Sequence, residues 1–344
     1  MASTSTSGWS DTTRTTTNNN DGAERVLCSR RHFFEVNDQP WFPPYLREKV
    51  QDYLTLGWTN RFPIIQSITP AALAAQILTQ VLGLSRVGEY VYVDFASGAG
   101  GPTPYIEQHL NRTLRDQRQR QRQSQRKNQD QDQDQDPVQF VLTDINPHVS
   151  AWEAITKKSD NVAYVRKSVD ATDAPEASEL LDCVAGGRVE KKKKKVMRLF
   201  SLAFHHFDDD LAVKVLENTV KTSDGFCIFE LQSRHLSSFI TITLLWPLAM
   251  AITPFYFGNS LGHLFFTYLV PIVPLIWVYD GYISCLRTRT PNEVKALLRS
   301  RVSDDELQGW TFKSGQSCHT WPIGWFHWII CYKNDDNGRI ASDQ

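Results

Sequence analysis

The sequence predicts an α/β fold built on a mainly parallel sheet, and three observations carry that expectation. Five short apolar runs alternate with segments of helical spacing between residues 90 and 231. The first run passes through a glycine-rich turn directly into a helix. The last two runs, WTFKSG and GWFHWIICYK, flank a loop containing Pro322 and Gly324, which predicts an antiparallel hairpin at the sheet edge.

The chain has 344 residues, 41% hydrophobic and 11% aromatic, enough for one large core or two small ones. A formal net charge of −1 gives no global field toward nucleic acid or anionic lipid, so any such affinity must be local. Six cysteines, at 28, 183, 227, 285, 318 and 331, include no CxxC pair. That spacing supports neither zinc nor dithiol chemistry, and predicts reduced thiols in an intracellular protein with no metal site. The opening MASTSTSGWSDTTRTTTNNNDG lacks an apolar run, so it does not read as a secretory signal, and Asp11 and Asp21 oppose a transit peptide. Residues 1–32 and 334–344 are expected to be flexible tails.

Residues 33–85 read as a helical segment. A helix begins near Pro44, with Leu46, Val50, Tyr53, Leu54 and Gly57 recurring at three and four. A second runs from Pro70 to Gly83, with the proline and glycine where helix ends favour them. The core is expected over 86–236, with strands at 90–95, 139–143, 162–165, 196–202 and 226–231 and a helix capped by Asp208. Two inserts interrupt it. Residues 112–136 are almost wholly Arg, Gln and Asp, and 188–195 are lysine-rich, so both read as solvated loops. Their rival reading is a binding patch for RNA or anionic lipid.

The glycine turn is the centre of the functional reading. Asp94 ends the first strand, and Ala96, Gly98 and Gly100 follow at two-residue steps; Tyr105, Ile106, His109 and Leu110 then give a helix one apolar face. Glycine permits positive φ and close approach of a nucleoside-bearing ligand, though such glycines can also serve helix–sheet packing. A second acid favours the ligand. Asp144, in VLTDINPH, lies 46 residues past Gly98, or 21 once the 25-residue insert is set aside. That is near the roughly 20-residue distance at which a carboxylate reaches ribose hydroxyls in doubly wound nucleotide sites. A third acid, Asp170 in RKSVDATD, follows the third strand. A dinucleotide turn fits less well: Thr103 stands where its last glycine belongs, and Asp94 would crowd a pyrophosphate.

These residues resemble the class I S-adenosylmethionine-dependent methyltransferases. VDFASGAGG is similar to their first motif, with Ala96 where the first glycine is usual; LTDINP is similar to the second, SVDA to the third and LFSLAFHHFDD to the fourth. SGAGGPTP and TYLVPIVPLIWVYDGYISCLRTRTPNEV resemble a bacterial and fungal subgroup, and the resemblance covers roughly residues 33 to 333. It implies a Rossmann-like, seven-stranded sheet with a reversed C-terminal hairpin, and S-adenosyl-L-methionine as cofactor. The donor would be held by Asp94, Ala96, Ser97, Gly98, Gly100, Asp144, Ile145, Asp170 and Ala171. Methyl transfer from a sulfonium is an in-line displacement, so the protein mainly aligns the reactants and removes a proton. His205 and His206, just past the fourth strand, and Glu230, at the end of the fifth, are the catalytic candidates, with Asp280 a further residue that could touch substrate. The bland alternative has one histidine packing and the other bonding backbone. Asp208 to Asp210 read as helix-start carboxylates rather than metal ligands.

Between Arg234 and Asp280 no Asp, Glu, Lys or Arg occurs. FITITLLWPLAMAITPFYF and LGHLFFTYLVPIVPLIWVY are each long enough to approach a bilayer's thickness. The segment 237–280 is therefore expected to be a spanning or re-entrant hairpin, a membrane-adsorbed lid or a soluble lid. Pro247, Pro254, Pro271, Pro274 and His263 stand against spanning. Arginines on both flanks suit a catalytic domain facing the cytoplasm, with a soluble cytoplasmic protein as the alternative. Residues 281–333 complete the core, opening on a helix with Thr290, Pro291 and Glu293 as capping box. The expected activity is methyl transfer, at oxygen, to a small hydrophobic or lipid-like acceptor, with no nucleic-acid partner. The alternatives are a membrane-tethered protein of the same fold without chemistry, and a nucleic-acid methyltransferase.

Overall fold

The computed structural model describes residues 10–13, 26–124, 136–186 and 195–334. The first strand, β1 (Ser10–Thr13), is followed by α1 (Pro44–Thr59), α2 (Pro70–Leu82) and the short α3 (Leu84–Val87). Thr69 caps α2 by accepting the Ala72 N–H, and Gly83 ends it at φ +81°. The core then alternates β2 (Tyr90–Asp94), α4 (Thr103–Ser124), β3 (Phe140–Leu142), α5 (Val149–Thr156), β4 (Val162–Val165), α6 (Ala177–Asp182), β5 (Val184–Ala185), β6 (Lys195–Ser201), α7 (Asp209–Thr222) and β7 (Gly225–Glu230). Asp208 caps α7 by accepting the Leu211 N–H. Beyond β7 come α8 (Leu236–Tyr256), α9 (Leu261–Leu264), a π-helical turn (Phe265–Leu269) and α10 (Ile272–Arg287). The chain closes with α11 (Pro291–Arg301), β8 (Trp310–Thr320) and β9 (Gly324–Lys333). Both halves of the capping box on α11, Thr290 and Glu293, are made.

One sheet runs through the molecule in the order β1-β8-β9-β7-β6-β2-β3-β4-β5. The pairs from β4 through β3, β2 and β6 to β7 are parallel, and β9 pairs antiparallel with both β7 and β8. The chain builds outward from β2 to β4 and then returns to the other side of β2 with β6, so the order reverses at β2. In open sheets of this kind the crevice beyond the strand tips at the reversal is the ligand site. Strand alternation sends Tyr90 and Tyr92 into a core shared with α2, α4 and α5, and Val91 and Val93 into one shared with α6, α7 and α11. A third cluster joins Val50, Tyr53 and Leu56 of α1 to Ala249 and Ile252 of α8 and Val273, Ile276 and Trp277 of α10.

Four expectations need correction. Among the described residues the sheet has nine strands rather than seven, because β1 and β5 extend the two edges of the seven. Residues 112–124 are helix, not loop. Arg and Gln are good helix formers, and α4 enters the segment already nucleated, with Leu114 buried. Residues 125–135 of that insert, and 187–194 of the lysine-rich one, lie outside the described residues, while Lys195 already belongs to β6. Residues 26–32, expected in the tail, instead open a docked strap that runs over residues 26–38. The Leu27 N–H reaches the Arg234 carbonyl, the Arg31 N–H the Leu286 carbonyl, and Arg30 pairs with Asp209.

Candidate functional site

The bend after β2 is shaped by positive φ at Ala96 (+56°), Gly98 (+52°), Gly100 (+110°) and Gly101 (+44°). A side chain at Gly100 would meet Ile155 of α5 at 2.4 Å, so this glycine serves packing, whereas one at Gly98 would meet open space. Ala96 holds the left-handed conformation without glycine's freedom, at a cost of roughly 1–2 kcal/mol. The Gly98 N–H donates to the Asp144 carboxylate at 2.8 Å, and the Asn146 N–H to its other oxygen at 2.8 Å. Each oxygen keeps a second lone pair for a ligand. Trp152, fully buried on α5, donates its indole N–H to the Gly98 carbonyl at 2.8 Å and fixes the bend from below.

Asp94 lies beneath the bend, buried, accepting the Thr103 hydroxyl at the first turn of α4. Burial raises its carboxyl to about 7, with Asp144 nearby adding to the shift. Ile145 is exposed, and its carbonyl accepts the Ser168 hydroxyl. Asp170 is exposed and holds the Thr172 N–H, while Ala171 is buried beside it. The hydroxyls of Ser97 and Ser201, at the tips of β2 and β6, are buried with no hydrogen-bond partner among the described residues. Two orphan hydroxyls, an open cradle at Gly98 and a carboxylate with spare lone pairs fit a nucleoside-bearing donor.

The neighbouring strand tips carry the second half of the site. His205 sits in a 3-10 turn after β6. The Glu230 carboxylate, at the end of β7, receives the His205 backbone N–H at 3.3 Å, its ring Nδ1 at 2.9 Å and the Gln232 amide at 3.0 Å. A carboxylate only accepts, so Nδ1 carries a proton, and Nε2 is the ring nitrogen without a hydrogen bond among the described residues. Nε2 stands 3.7 Å from Glu35, too far for a hydrogen bond.

The strap and α10 complete an ionic cluster that sequence reasoning did not find. Arg287 places Nη1 3.2 Å from Glu35 and 3.2 Å from Asp38. Asp38 also accepts from His206 Nδ1 at 3.0 Å. Burial opposes charge on His206, but the bond to Asp38 and the nearby Glu35 carboxylate outweigh it and raise the imidazole to about 9. The Asp280 carboxylate grips the strap by the Val36 and Asn37 N–H groups at 2.7 and 2.9 Å. Glu35, His205 and His206 bring ligand-type atoms within 4.8 Å of one another. The guanidinium of Arg287 already supplies the cation there, so the cluster reads as an ion network rather than a metal centre. No sequence signal announces Glu35 or Asp38, which meet their partners only through the tertiary fold.

This cluster forms one end of a cavity of about 610 Å³. His205, His206, Leu202, Leu231 and Asp280 line it together with faces of α1, α8 and α10 and the β8–β9 turn. Its wall is apolar, from Leu54, Trp58 and Phe62 to Ile242, Leu245 and Trp277. The apolar block thus forms a cavity wall on its inner side, whereas Phe255, Leu261, Leu269 and Leu275, which do not line the cavity, are exposed. Among the described residues α8 is by length and composition able to cross a membrane, and Leu261–Leu269 with Ile272–Arg287, bent by 73°, pass the same test together as a broken span or re-entrant loop.

No family model matches the chain, and no curated protein matches it. Among solved structures it is similar to the mitomycin 7-O-methyltransferase, at 14% identity over 76% of this chain and 54% of that one (TM-score 0.38). It is similar to human N-acetylserotonin methyltransferase in complex with SAM, at 12% over 77% and 56% (TM-score 0.36). A third is magnesium protoporphyrin IX methyltransferase from Synechocystis PCC 6803 with bound SAM, at 5% over 87% and 88% (TM-score 0.38). The chain spans just over half the length of the first two. At this level of likeness the chemistry has to come from the residues of the bend and the cavity themselves.

Proposed function

We propose that the protein is an S-adenosyl-L-methionine-dependent methyltransferase acting on a hydroxyl of a small hydrophobic or lipid-like acceptor. One observation carries the reading: His205, oriented by Glu230, lines an apolar cavity beyond the tips of β6 and β7, and β6 is the sheet neighbour of β2, whose bend residues themselves do not line that cavity. The donor, when bound, supplies an electrophilic methyl group. Asp144 would accept from its ribose hydroxyls, Ser97 and Ser201 would meet its polar atoms, and Gly98 would let it approach the backbone. Asp94 supports the bend from below, while Ile145, Asp170 and Ala171 flank the adenine end.

At the other end, His205 Nε2 removes the acceptor's hydroxyl proton as the oxygen attacks, and Glu230 steadies the resulting imidazolium. His206 and Asp38, with Arg287 and Glu35, hold the strap over the site. The walls of α1, α8 and α10 exclude water and align the acceptor. The outward faces of α8 to α10 rest on a bilayer, with the catalytic domain on the cytoplasmic side. An unpartnered apolar face of this extent is what supports that placement.

The test incubates the purified protein with methyl-labelled donor and a cell extract. Label is expected in an organic-soluble metabolite, and His205→Ala is expected to lower the rate by roughly 10²–10⁴. Label in protein or RNA alone, or an undiminished rate in the variant, would contradict the reading. Flotation with liposomes tests the bilayer: protein that stays at the bottom of the gradient is not membrane-bound.

A further inference from the structure

Six of the residues that line the cavity are also exposed. Asp38 belongs to the ionic end, while Leu54 of α1, Ile65 of the α1–α2 loop, Leu244 of α8, and Trp321 and Pro322 of the β8–β9 turn are all apolar. The turn and the loop are tied together, by the Trp321 backbone N–H to the Ile65 carbonyl at 2.7 Å and by the Gln66 amide to the Thr320 hydroxyl at 2.7 Å. The cavity therefore meets its surroundings through apolar lips. Leu244 joins those lips to a larger surface. On α8, Leu236, Ile240, Leu244, Pro247, Ala251 and Phe255 are exposed and fall within about 100° of the helix circumference. This stripe is about 29 Å long, close to the ~30 Å thickness of a bilayer's hydrocarbon core.

Two features say what covers the stripe. No Asp, Glu, Lys or Arg occurs between Arg234 and Asp280, so α8 supplies none of the charged rim that borders a contact between soluble proteins. Its hydroxyls also turn inward. Thr241, Thr243 and Thr253 donate to the Ser237, Phe239 and Ala249 carbonyls one turn earlier, at 2.9, 2.8 and 2.6 Å, and the Tyr268 hydroxyl donates to the Met250 carbonyl. Polar groups satisfied within the protein suit hydrocarbon, where no water is present to receive them. Building on the methyltransferase reading and its bilayer placement, we infer that the opening is a lateral door onto the bilayer. The acceptor is a hydroxyl-bearing lipid dissolved among the acyl chains. It passes Leu244 and Trp321 into the cavity and presents its hydroxyl to His205 without crossing water, so its apolar body is never hydrated on the way. The five lip residues offer no charged side chain to guide a solute from water.

Tryptophan quenching on the full-length protein tests both the door and the passage. Trp321 is 71% exposed, and the difference between wild type and Trp321→Phe isolates its emission. Without lipid, aqueous iodide is expected to quench that difference. On phosphatidylcholine vesicles iodide is expected to lose its effect, while phosphatidylcholine brominated at mid-chain quenches at least about twofold. Trp58 and Trp277 line the cavity and report on entry. Oleyl alcohol brominated across its double bond, dissolved in unbrominated vesicles, is expected to quench saturably, with a midpoint below about 5 mol%. A site fills, whereas collisions within the bilayer only grow with concentration. Leu244→Asp, which places a charge in the door, is expected to raise that midpoint at least about fivefold.

Trp321 left open to iodide in the presence of vesicles, or quenching by the alcohol that never saturates, would overturn the inference, and wild type with Trp321→Phe decides both. Trp321 already shielded from iodide before lipid is added would overturn it too, in favour of a second copy of the chain on the stripe. S-adenosylhomocysteine is titrated into the same samples. If it binds while the door fails as described, the source of the acceptor is wrong and the methyltransferase reading stands. If it does not bind, both fall.

Discussion

Asp94→Asn isolates the electrostatic load that the bend carries. The Asp94 carboxyl is buried and raised from 3.8 to about 7, so between those values the unfolded chain loses its proton while the folded chain keeps it. Stability contributed by this group is fully present below about pH 4 and is lost progressively up to about pH 7, with little change above. Three pH units at about 1.4 kcal/mol each give a cost of ~4 kcal/mol at neutral pH. Asparagine keeps an oxygen for the Thr103 hydroxyl and removes the charge, while adding amide protons that cost about 1 kcal/mol if unpaired. The variant is therefore expected to be ~2–4 kcal/mol more stable than wild type at neutral pH and nearly equal to it near pH 4. Urea unfolding followed by circular dichroism at several pH values reads this difference. Parallel profiles, with a gap under ~1 kcal/mol throughout, would refute the reasoning.

Four further variants test the geometry. Arg287→Leu leaves Glu35 buried without its cation, so a loss of ~3–5 kcal/mol in denaturant stability is expected, together with faster proteolysis of the strap at residues 26–38. Gly100→Ala both forces a side chain into φ +110° and drives it against Ile155, so a loss of ~2–4 kcal/mol should appear in the same assay; Ala96→Gly, at φ +56°, should be neutral or stabilising by up to ~1 kcal/mol. His206 gains charge in the fold, so its contribution is present below about pH 6.5 and lost toward about pH 9. Because its side chain is 35% exposed the gain is discounted to ~1–2 kcal/mol, and His206→Gln should flatten stability over that window.

The parts of this molecule visible in the sequence are those specified locally. YVYVD followed by alternating small residues announced the strand, bend and helix around Gly98, and Thr290 with Glu293 and Asp208 announced two helix starts, because caps and turns are encoded within a few residues. The Arg- and Gln-rich continuation of α4 reads as loop and is helix, since a charged sequence with no apolar face is compatible with loop or with the solvated end of a helix already begun. The two-residue β5 and the four-residue β1 are too short to leave a periodic signal. Glu35, Asp38 and Arg287 stay hidden for a different reason: their roles arise from pairs some 250 residues apart, which no local pattern encodes.

The account rests on a nucleoside-bearing sulfonium donor at the β2 bend, and calorimetric titration of S-adenosylhomocysteine into wild type and Asp144→Ala tests that most directly. Loss of a charge-assisted bond to the ribose is expected to weaken binding by at least about tenfold, with His205→Ala binding as wild type does. No binding to the wild type, or equal affinity in Asp144→Ala, would contradict the account.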